Sequence, residues 1–534
     1  MKIQQLSPQT NNKKNNQPQF TGFSENASLL LRFLDTNQAW GANTVDLCSM
    51  VIPRTTVDFV NRGPEAGTET ARREATGTAN HSLIGVYGTM AGFLLAARIN
   101  SKYGIKAHKI FADNETFEII TKSFDKNKGN DYKNYLKDIF GELETEVDGE
   151  VRKLQTADVE KIVKKFDIAL QNNQSPELIN KELLNYTKAV ITNATGAENG
   201  FKFKSGKNSF HISNGIANIY NISKALIAKD AKNISSEDFL KSMRKINIGR
   251  SALGLGIGAL IGMSTQPINM YLTKKKTGSD GFVGVPGRKK DDSSKFKMLK
   301  LASFSAFAVG ALSTITTNPK KLLSKIQFKG MTPTVAQLKF VYGLTIASRL
   351  LAARDKDELR ESAVKDSLGF LNLLVLGSLV TKGVAHLMDK SLINVSKENS
   401  KNFFKWIANS SLKTRDEVLY TALKEQGKEV IKNGKELPFK ELIKLADKTT
   451  KGKLRALNIA QVVGYLYSGL VLGVGVPKLN IYMTNKAEAK RKARLEAEVK
   501  LNSSSEVKNE VKKDSSSEKN MLKPENLAYL SKNM

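Results

Sequence analysis

ALNIAQVVGYLYSGLVLGVGVP, residues 456–477, carries no ionisable side chain other than tyrosine and stands between Arg455 and Lys478. A helix needs about 20 such residues to cross the hydrocarbon core of a bilayer, so this stretch predicts a membrane span. It is not alone. Residues 251–273 form an uncharged run between Arg250 and Lys274, and residues 301–319 another between Lys300 and Lys320. Shorter runs cover 82–97, ending at Arg98, and 367–381, ending at Lys382. The latter reaches full length if Lys382 snorkels and the helix continues through GVAHLM. The weakest segment, 331–353, contains Lys339 and Arg349.

Two of the runs end alike. PINMYLTKK begins at Pro267 and PKLNIYMTNK at Pro477. An offset of 211 residues matches Asn269 with Asn480, Tyr271 with Tyr482, Thr273 with Thr484 and Lys275 with Lys486. The same offset superposes Gly258 on Gly469 and Gly262 on Gly473, so each run carries Gly-x-x-x-Gly ahead of its proline. In a bilayer such glycines let helix backbones touch. The proline then ends or kinks the helix, tyrosine takes the headgroup level and lysine meets the phosphates. Both motifs therefore read as membrane exits. If they exit on one side, an odd number of crossings separates them, and the charged segment near Phe340 must cross or re-enter as well.

The chain has 534 residues, a formal net charge of +31 and a mean hydropathy of -0.32. Such a surface attracts polyanions, chiefly anionic lipid headgroups or nucleic acid. Its short loop 274–300 holds nine Lys or Arg against three Asp. By the positive-inside rule that loop is cytoplasmic, and the basic KAEAKRKAR run after Pro477 falls on the same side. The stretch from Lys320 to Lys339 is also basic, which weakens any argument from charge alone. Residues 1–25, rich in Asn, Gln and Lys, and the Ser/Glu/Lys tail from about 501 lack the apolar residues of a core and read as disordered. The N-terminus has no apolar signal core.

Residues 99–250 contain amphipathic helical patterns such as TADVEKIVKKFDIALQNN, with apolar residues at i, i+3, i+4 and i+7 spacing. They predict an extramembrane helical domain, and 382–455 repeats the pattern at half the size. Strand signals are sparse, and only SGKNSFHISNG around Phe210 suggests a short hairpin.

The residue types needed for chemistry are thin. Cys48 is the single cysteine, which excludes an intramolecular disulfide. His81, His108, His211 and His386 lie far apart without a second metal ligand at helical or loop spacing. The segment from Gly200 to Asn208 puts five residues between its glycines and Asn208 where a magnesium-binding hydroxyl belongs, so it is no phosphate-binding loop. GSDGFVGVPGRKK, with glycines 278, 281, 284 and 287, reads as a flexible connector rather than a phosphate cradle. One polar cluster stands beside an apolar run: Glu69, Arg72, Arg73, Glu74 and His81, just before residue 82. Charges in such a place can bind a substrate or relay protons, and an exposed helix with an ion pair one turn apart is the plainer account. Arg360 and Glu361, before the run at 367, resemble the Arg-Glu pair of Arg73 and Glu74, a likeness too short to make a repeat.

These readings converge on an all-α, multi-span helical membrane protein with an extramembrane helical domain and disordered termini. Its expected segments are 1–25, 26–98, 99–250, 251–381, 382–455, 456–484 and 485–534. The expected role is non-enzymatic: a scaffold, a membrane-organising protein or a transport component that meets anionic lipid and self-associates through its glycine motifs. No catalytic residue, metal or cofactor is expected. The competing reading is a soluble or peripheral helical protein that binds anionic lipid or nucleic acid through its charge.

Overall fold

The computed structural model describes residues 27–32, 34, 44, 46–103, 105–127, 132–171, 181–285 and 287–521, and the expected N-terminal arm lies outside them. The chain divides into two units, Met1–Val474 and Gly475–Met534. The fold is mostly helical, as its sequence predicts.

The first unit opens with a π-helical stretch, Asp46–Val51, that runs into α1 (Ile52–Arg62). Gly63, at φ 89°, breaks the chain before α2 (Pro64–Ser82), and a 50° bend separates α2 from α3 (Ile84–Tyr103). A lobe follows, made of α4 (Asn114–Lys126), α5 (Tyr132–Gly141), β1 (Leu143–Val147), β2 (Glu150–Lys153), α6 (Thr156–Gln171), α7 (Lys181–Thr195), β3 (Lys202–Phe203) and α8 (Ile212–Asp230). Phe117, Phe124, Tyr135, Phe140 and Phe166 fill its core. Each such side chain contributes about 1.5–3 kcal/mol when fully buried. The chain then enters α9 (Ser236–Thr277), α10 (Ser294–Ser313), α11 (Val335–Ala352) and α12 (Lys356–Leu371). A π-helical stretch, Asn372–Leu376, links α12 to α13 (Gly377–Met388).

A second lobe holds β4 (Ile393–Asn394), α14 (Phe403–Asn409), β5 (Ser411–Leu412), α15 (Arg415–Glu425), β6 (Ile431–Lys432), β7 (Lys435–Glu436) and α16 (Phe439–Leu445). Finally α17 (Lys448–Tyr467) passes through a third π-helical stretch, Ser468–Gly475, into α18 (Val476–Met521). The second unit is α18 and the residues after it. Within α18, residues 501–521 continue the helix with no apolar face in their sequence.

Side-chain contacts fix the direction of each long helix. From α2 into α3, Glu69 meets Asn269, Asn80 meets the Gly258 carbonyl and Gly88 meets Gly254, so α9 runs antiparallel to this pair. Between α9 and α11, Gly258 faces Val341, Gly262 faces Thr345 and Met263 faces Ser348; these two run parallel. Between them in sequence, α10 runs the other way, with Ala311 against Gly343 and Lys300 bonded to the Ala353 carbonyl. Arg349 with Asp366, and Tyr342 with Phe370, set α12 antiparallel to α11. Asn372 with Ser468, and Thr381 with Gly464, set α17 antiparallel to α12–α13. Direction thus alternates at every step: α2–α3, α9, α10, α11, α12–α13, α17. Both lobes join helix ends on one side, and the 274–293 loop joins helix ends on the other.

Several expectations change. Residue 250 is no boundary, because α9 begins at Ser236, where Ser235 caps it, and runs unbroken through the predicted span. The span predicted at 301–319 sits about two turns earlier, in Ser294–Ser313. Pro267 does not end its helix either. A proline cannot donate to the carbonyl four residues back, and here Ser348 Oγ donates to that carbonyl, on Met263, at 3.2 Å. Pro477 lies in the first turn of α18. The strand expectation also moves: around Phe210 there is only a bridge to Phe201, whereas the hairpins are β1–β2 and β6–β7. Their turns are Asp148-Gly149, at φ 53° and 86°, and Asn433-Gly434, at φ 52° and 69°. Both are the left-handed two-residue turns that Asp-Gly and Asn-Gly favour.

Candidate functional site

The polar cluster predicted on α2 is neither exposed nor isolated. Four of its five members are buried, and they meet charged residues from α1, α11 and α12. The Glu74 carboxylate receives Arg73 at 3.2 Å, Lys365 at 3.2 Å, Arg54 at 3.6 Å and Arg349 at 3.6 Å. Arg349 also reaches Asp366 at 3.3 Å and donates to the Arg73 carbonyl at 3.2 Å. Arg54 Nε donates to the Leu472 carbonyl at 3.2 Å, and Thr78 donates to Asp46.

A second group lies beside the first. Arg354 bridges Glu69 at 2.5 Å and Glu358 at 2.9 Å. Arg62 takes Glu361 at 2.5 Å, and Arg288 takes Asp355 at 2.7 Å and Asp357 at 3.0 Å. The stretches holding Arg73-Glu74 and Arg360-Glu361, alike in sequence, are thereby brought into one network. Phe282, from the loop expected to be a flexible connector, is buried with the Arg62 and Arg354 guanidiniums 5.4 and 5.9 Å from its ring centroid. That loop is packed because its aromatic residue stacks on cations and its Arg288 finds two carboxylates, neither of which glycine spacing reveals.

Arg72 and His81 point elsewhere. Arg72 donates to Asn269 at 2.7 Å and Thr273 at 2.8 Å, tying α2 to α9. His81 lies edge-on to Tyr342, ring centroids 4.8 Å apart. Of the residues expected at the first membrane exit, Asn269 and Thr273 are thus buried contacts, whereas Tyr271 and Lys275 are exposed. Asn480, Tyr482, Thr484 and Lys486 lie on α18, where Lys486 Nζ sits 5.9 Å from the Tyr482 ring centroid.

The predicted contact glycines are contact points within the chain. A side chain at Gly262 would collide with Thr345, and one at Gly473 with the Ser49 carbonyl. Gly258 faces Tyr87 and Val341, and Gly469 faces Ser49, at ordinary contact distance. The two motifs do not pack on each other. The tightest approach is at Gly254, where an added Cβ would stand 2.9 Å from Gly88 Cα.

The three π-helical stretches meet next to the network: Gly473 lies against the Ser49 carbonyl, and Asn372 donates to Ser468 at 3.2 Å. Such widened turns free backbone groups for side-chain partners.

A different buried cluster joins the lobes. Lys188 on α7 contacts Glu198 at 2.5 Å and Asp416 at 2.9 Å, and Arg32 meets Asp416 at 2.6 Å. Thr414 donates to Glu198, whose own amide donates to Glu417. Burial opposes ionisation of every acid here, but Lys188 and Arg32 hold Asp416 below the usual carboxylate range. Burial pushes Glu198 up to about 8; Lys188 counters the rise, while Asp416 and Glu417 add to it. Two carboxylates sharing one lysine keep a proton between them. Burial likewise lowers His211 to about 4, leaving it neutral; its Nδ1 accepts from the Ser213 amide at the start of α8.

Sequence reading missed Arg54, Arg354, Glu358, Lys365 and Asp366, as well as the lobe cluster. The charge density of RDKDELRESAVKD immediately before an apolar run is the one signal that pointed to the former. Comparison of the chain with protein-family profiles, with curated proteins and with solved structures finds no match.

Proposed function

We propose an integral membrane protein that crosses the bilayer six times, through α2–α3, α9, α10, α11, α12–α13 and α17, and serves as a non-enzymatic scaffold displaying its two lobes on one face. One observation carries this reading: most of the exposed large apolar side chains lie on the long helices rather than on the lobes. Leu260, Ile261 and Ile268 on α9, Met298, Leu301 and Val309 on α10, and Val462, Leu466 and Leu470 on α17 and its extension all face outward. Only 17% of the apolar window of α10 is buried. Soluble monomers rarely expose so much contiguous apolar surface, and lipid removes its cost.

Three helices, Ser236–Thr277, Ser294–Ser313 and Lys448–Lys500, are long and apolar enough to cross, and the bent α2–α3 pair makes a fourth. Alternating direction adds α11 and α12–α13, which supplies the odd number of crossings that two exits on one side require. The basic loop 274–300 then faces the cytoplasm and the lobes face away from it.

Scaffold is favoured over transport because the network's charges engage one another. Transport remains the second reading, on the specific ground that ionisable side chains lie between the crossing helices.

The test is direct. Under this reading the protein stays in the pellet after alkaline carbonate extraction. In a Cys48→Ser background, Ser205→Cys and Ser279→Cys react with an impermeant maleimide from opposite sides of sealed vesicles. Carbonate release, or labelling of both from one side, refutes it.

A further inference from the structure

A cleft of about 890 Å³ opens where α13 meets the second lobe, lined by His386, Lys390, Lys397, Phe403, Trp406 and Lys413 together with Asp148 from the first lobe. We infer that this cleft binds the headgroup of an anionic phospholipid of the leaflet on the lobe side. The inference rests on the six-pass reading, which puts the end of α13 at the membrane surface.

Open apolar side chains adjoin the lining residues His386 and Phe403 in sequence. Leu387 is 86% exposed and Phe404 79%, with Phe403 and Met388 also open. Aromatic and aliphatic side chains of this kind at a helix end enter the headgroup boundary. The cleft's floor is held rigidly. Lys382, the residue expected to snorkel from the 367–381 run, sends Nζ to the carbonyls of Ile407 at 3.0 Å and Ser410 at 3.2 Å and to Ser410 Oγ at 3.0 Å. It thereby clamps α14 against α13, with Nζ 5.4 Å from the Trp406 ring centroid. His386 packs edge-on to the same ring, 5.8 Å between centroids, and its Nδ1 has no hydrogen-bond partner.

Charge makes the cleft selective. Asp148 is matched by Lys413 at 3.4 Å, and the exposed Lys390 and Lys397 form no ion pair with a described acidic side chain. A phosphodiester drawn into the cleft meets two uncompensated ammonium groups, while its acyl chains lie along Leu387 and Phe404. A zwitterionic headgroup brings its own cation to the same place and loses the advantage.

Trp406 is a reporter inside the cleft. Trp40 is the only other tryptophan, so Trp40→Phe leaves one emitter. The full-length protein is reconstituted in phosphatidylcholine vesicles containing about a tenth of either dibrominated phosphatidylglycerol or dibrominated phosphatidylcholine. The phosphatidylglycerol quenches Trp406 more strongly, with a local enrichment of about five-fold per lysine engaged. The exposed substitutions Lys390→Gln and Lys397→Gln together remove the difference. Equal quenching of the parent protein by both lipids overturns the headgroup site but leaves the six-pass reading standing. So does a preference that survives the double substitution, or one abolished by glycerol 3-phosphate at concentrations comparable to the lipid, which marks a soluble-phosphate site. Carbonate release with no quenching by either lipid overturns both readings.

Discussion

Glu74→Gln is the sharpest perturbation of the buried network. The wild-type carboxylate has four cationic side chains between 3.2 and 3.6 Å away, on α1, α2, α11 and α12. At an effective dielectric near 20, each attraction amounts to about 4–5 kcal/mol in gross terms. Desolvating one carboxylate offsets only part of that total. After substitution, Arg349 keeps Asp366 and Arg54 keeps the Leu472 carbonyl, but Arg73 and Lys365 lose their close carboxylate. Removing one partner from a buried ion pair costs about 3–5 kcal/mol, and we expect that range here. The assay is denaturant unfolding of the full-length protein in mixed micelles, read by tryptophan fluorescence and circular dichroism. Adding Lys365→Met to Glu74→Gln removes one uncompensated cation and recovers at least about 1 kcal/mol, because residues in one network do not add. A loss below about 1 kcal/mol for Glu74→Gln, or strict additivity in the pair, refutes the view that the network braces the bundle. Preserved stability with impaired solute flux would instead favour the transport reading.

Glu198 predicts a pH dependence of opposite sign to that of ordinary paired carboxylates. Its pKa is raised to about 8, above the unfolded value of about 4.3, so the folded state binds the proton more tightly. Lobe stability should fall as pH rises from about 5 to 8, by up to ~1.4 kcal/mol per unit, and Glu198→Gln should flatten that slope; thermal melts across this range check both. Gly262→Leu places a side chain into Thr345 and should destabilise the α9–α11 contact by about 1–3 kcal/mol or more, whereas Gly256→Leu, with open space around it, should not.

Much of the helical framework is legible in the sequence because uncharged runs and their basic ends are local features. The Gly-x-x-x-Gly motifs do not say what approaches them: Gly262 meets Thr345 and Gly473 meets Ser49, partners 83 and 424 residues away in sequence, while Gly258 and Gly469 stand at ordinary contact distance. The charged network was half visible. Glu69, Arg73 and Glu74 stand out beside an apolar run, but whether they face water or one another depends on Arg54, Arg349 and Lys365, which contact order hides. The Asp148-Gly149 and Asn433-Gly434 hairpins, by contrast, are written in plain two-residue turn signals.

The segment near Phe340 shows why composition alone does not place a helix in a bundle. Lys339 and Arg349 interrupt the apolar run of α11, which is not among the helices long and apolar enough to cross a membrane by themselves. Yet most of α11 faces protein. It packs between α9 and α10, its Arg349 is neutralised by Glu74 and Asp366, and Lys339 lies near the other end with Nζ 3.4 Å from the Thr314 carbonyl. A helix surrounded by other helices need not be apolar, only satisfied. The exposed apolar surface lies largely on α3, α9, α10 and α17, the helices whose sequences are apolar enough to cross. Position inside the bundle, rather than hydropathy alone, therefore decides which charged side chains a helix can carry.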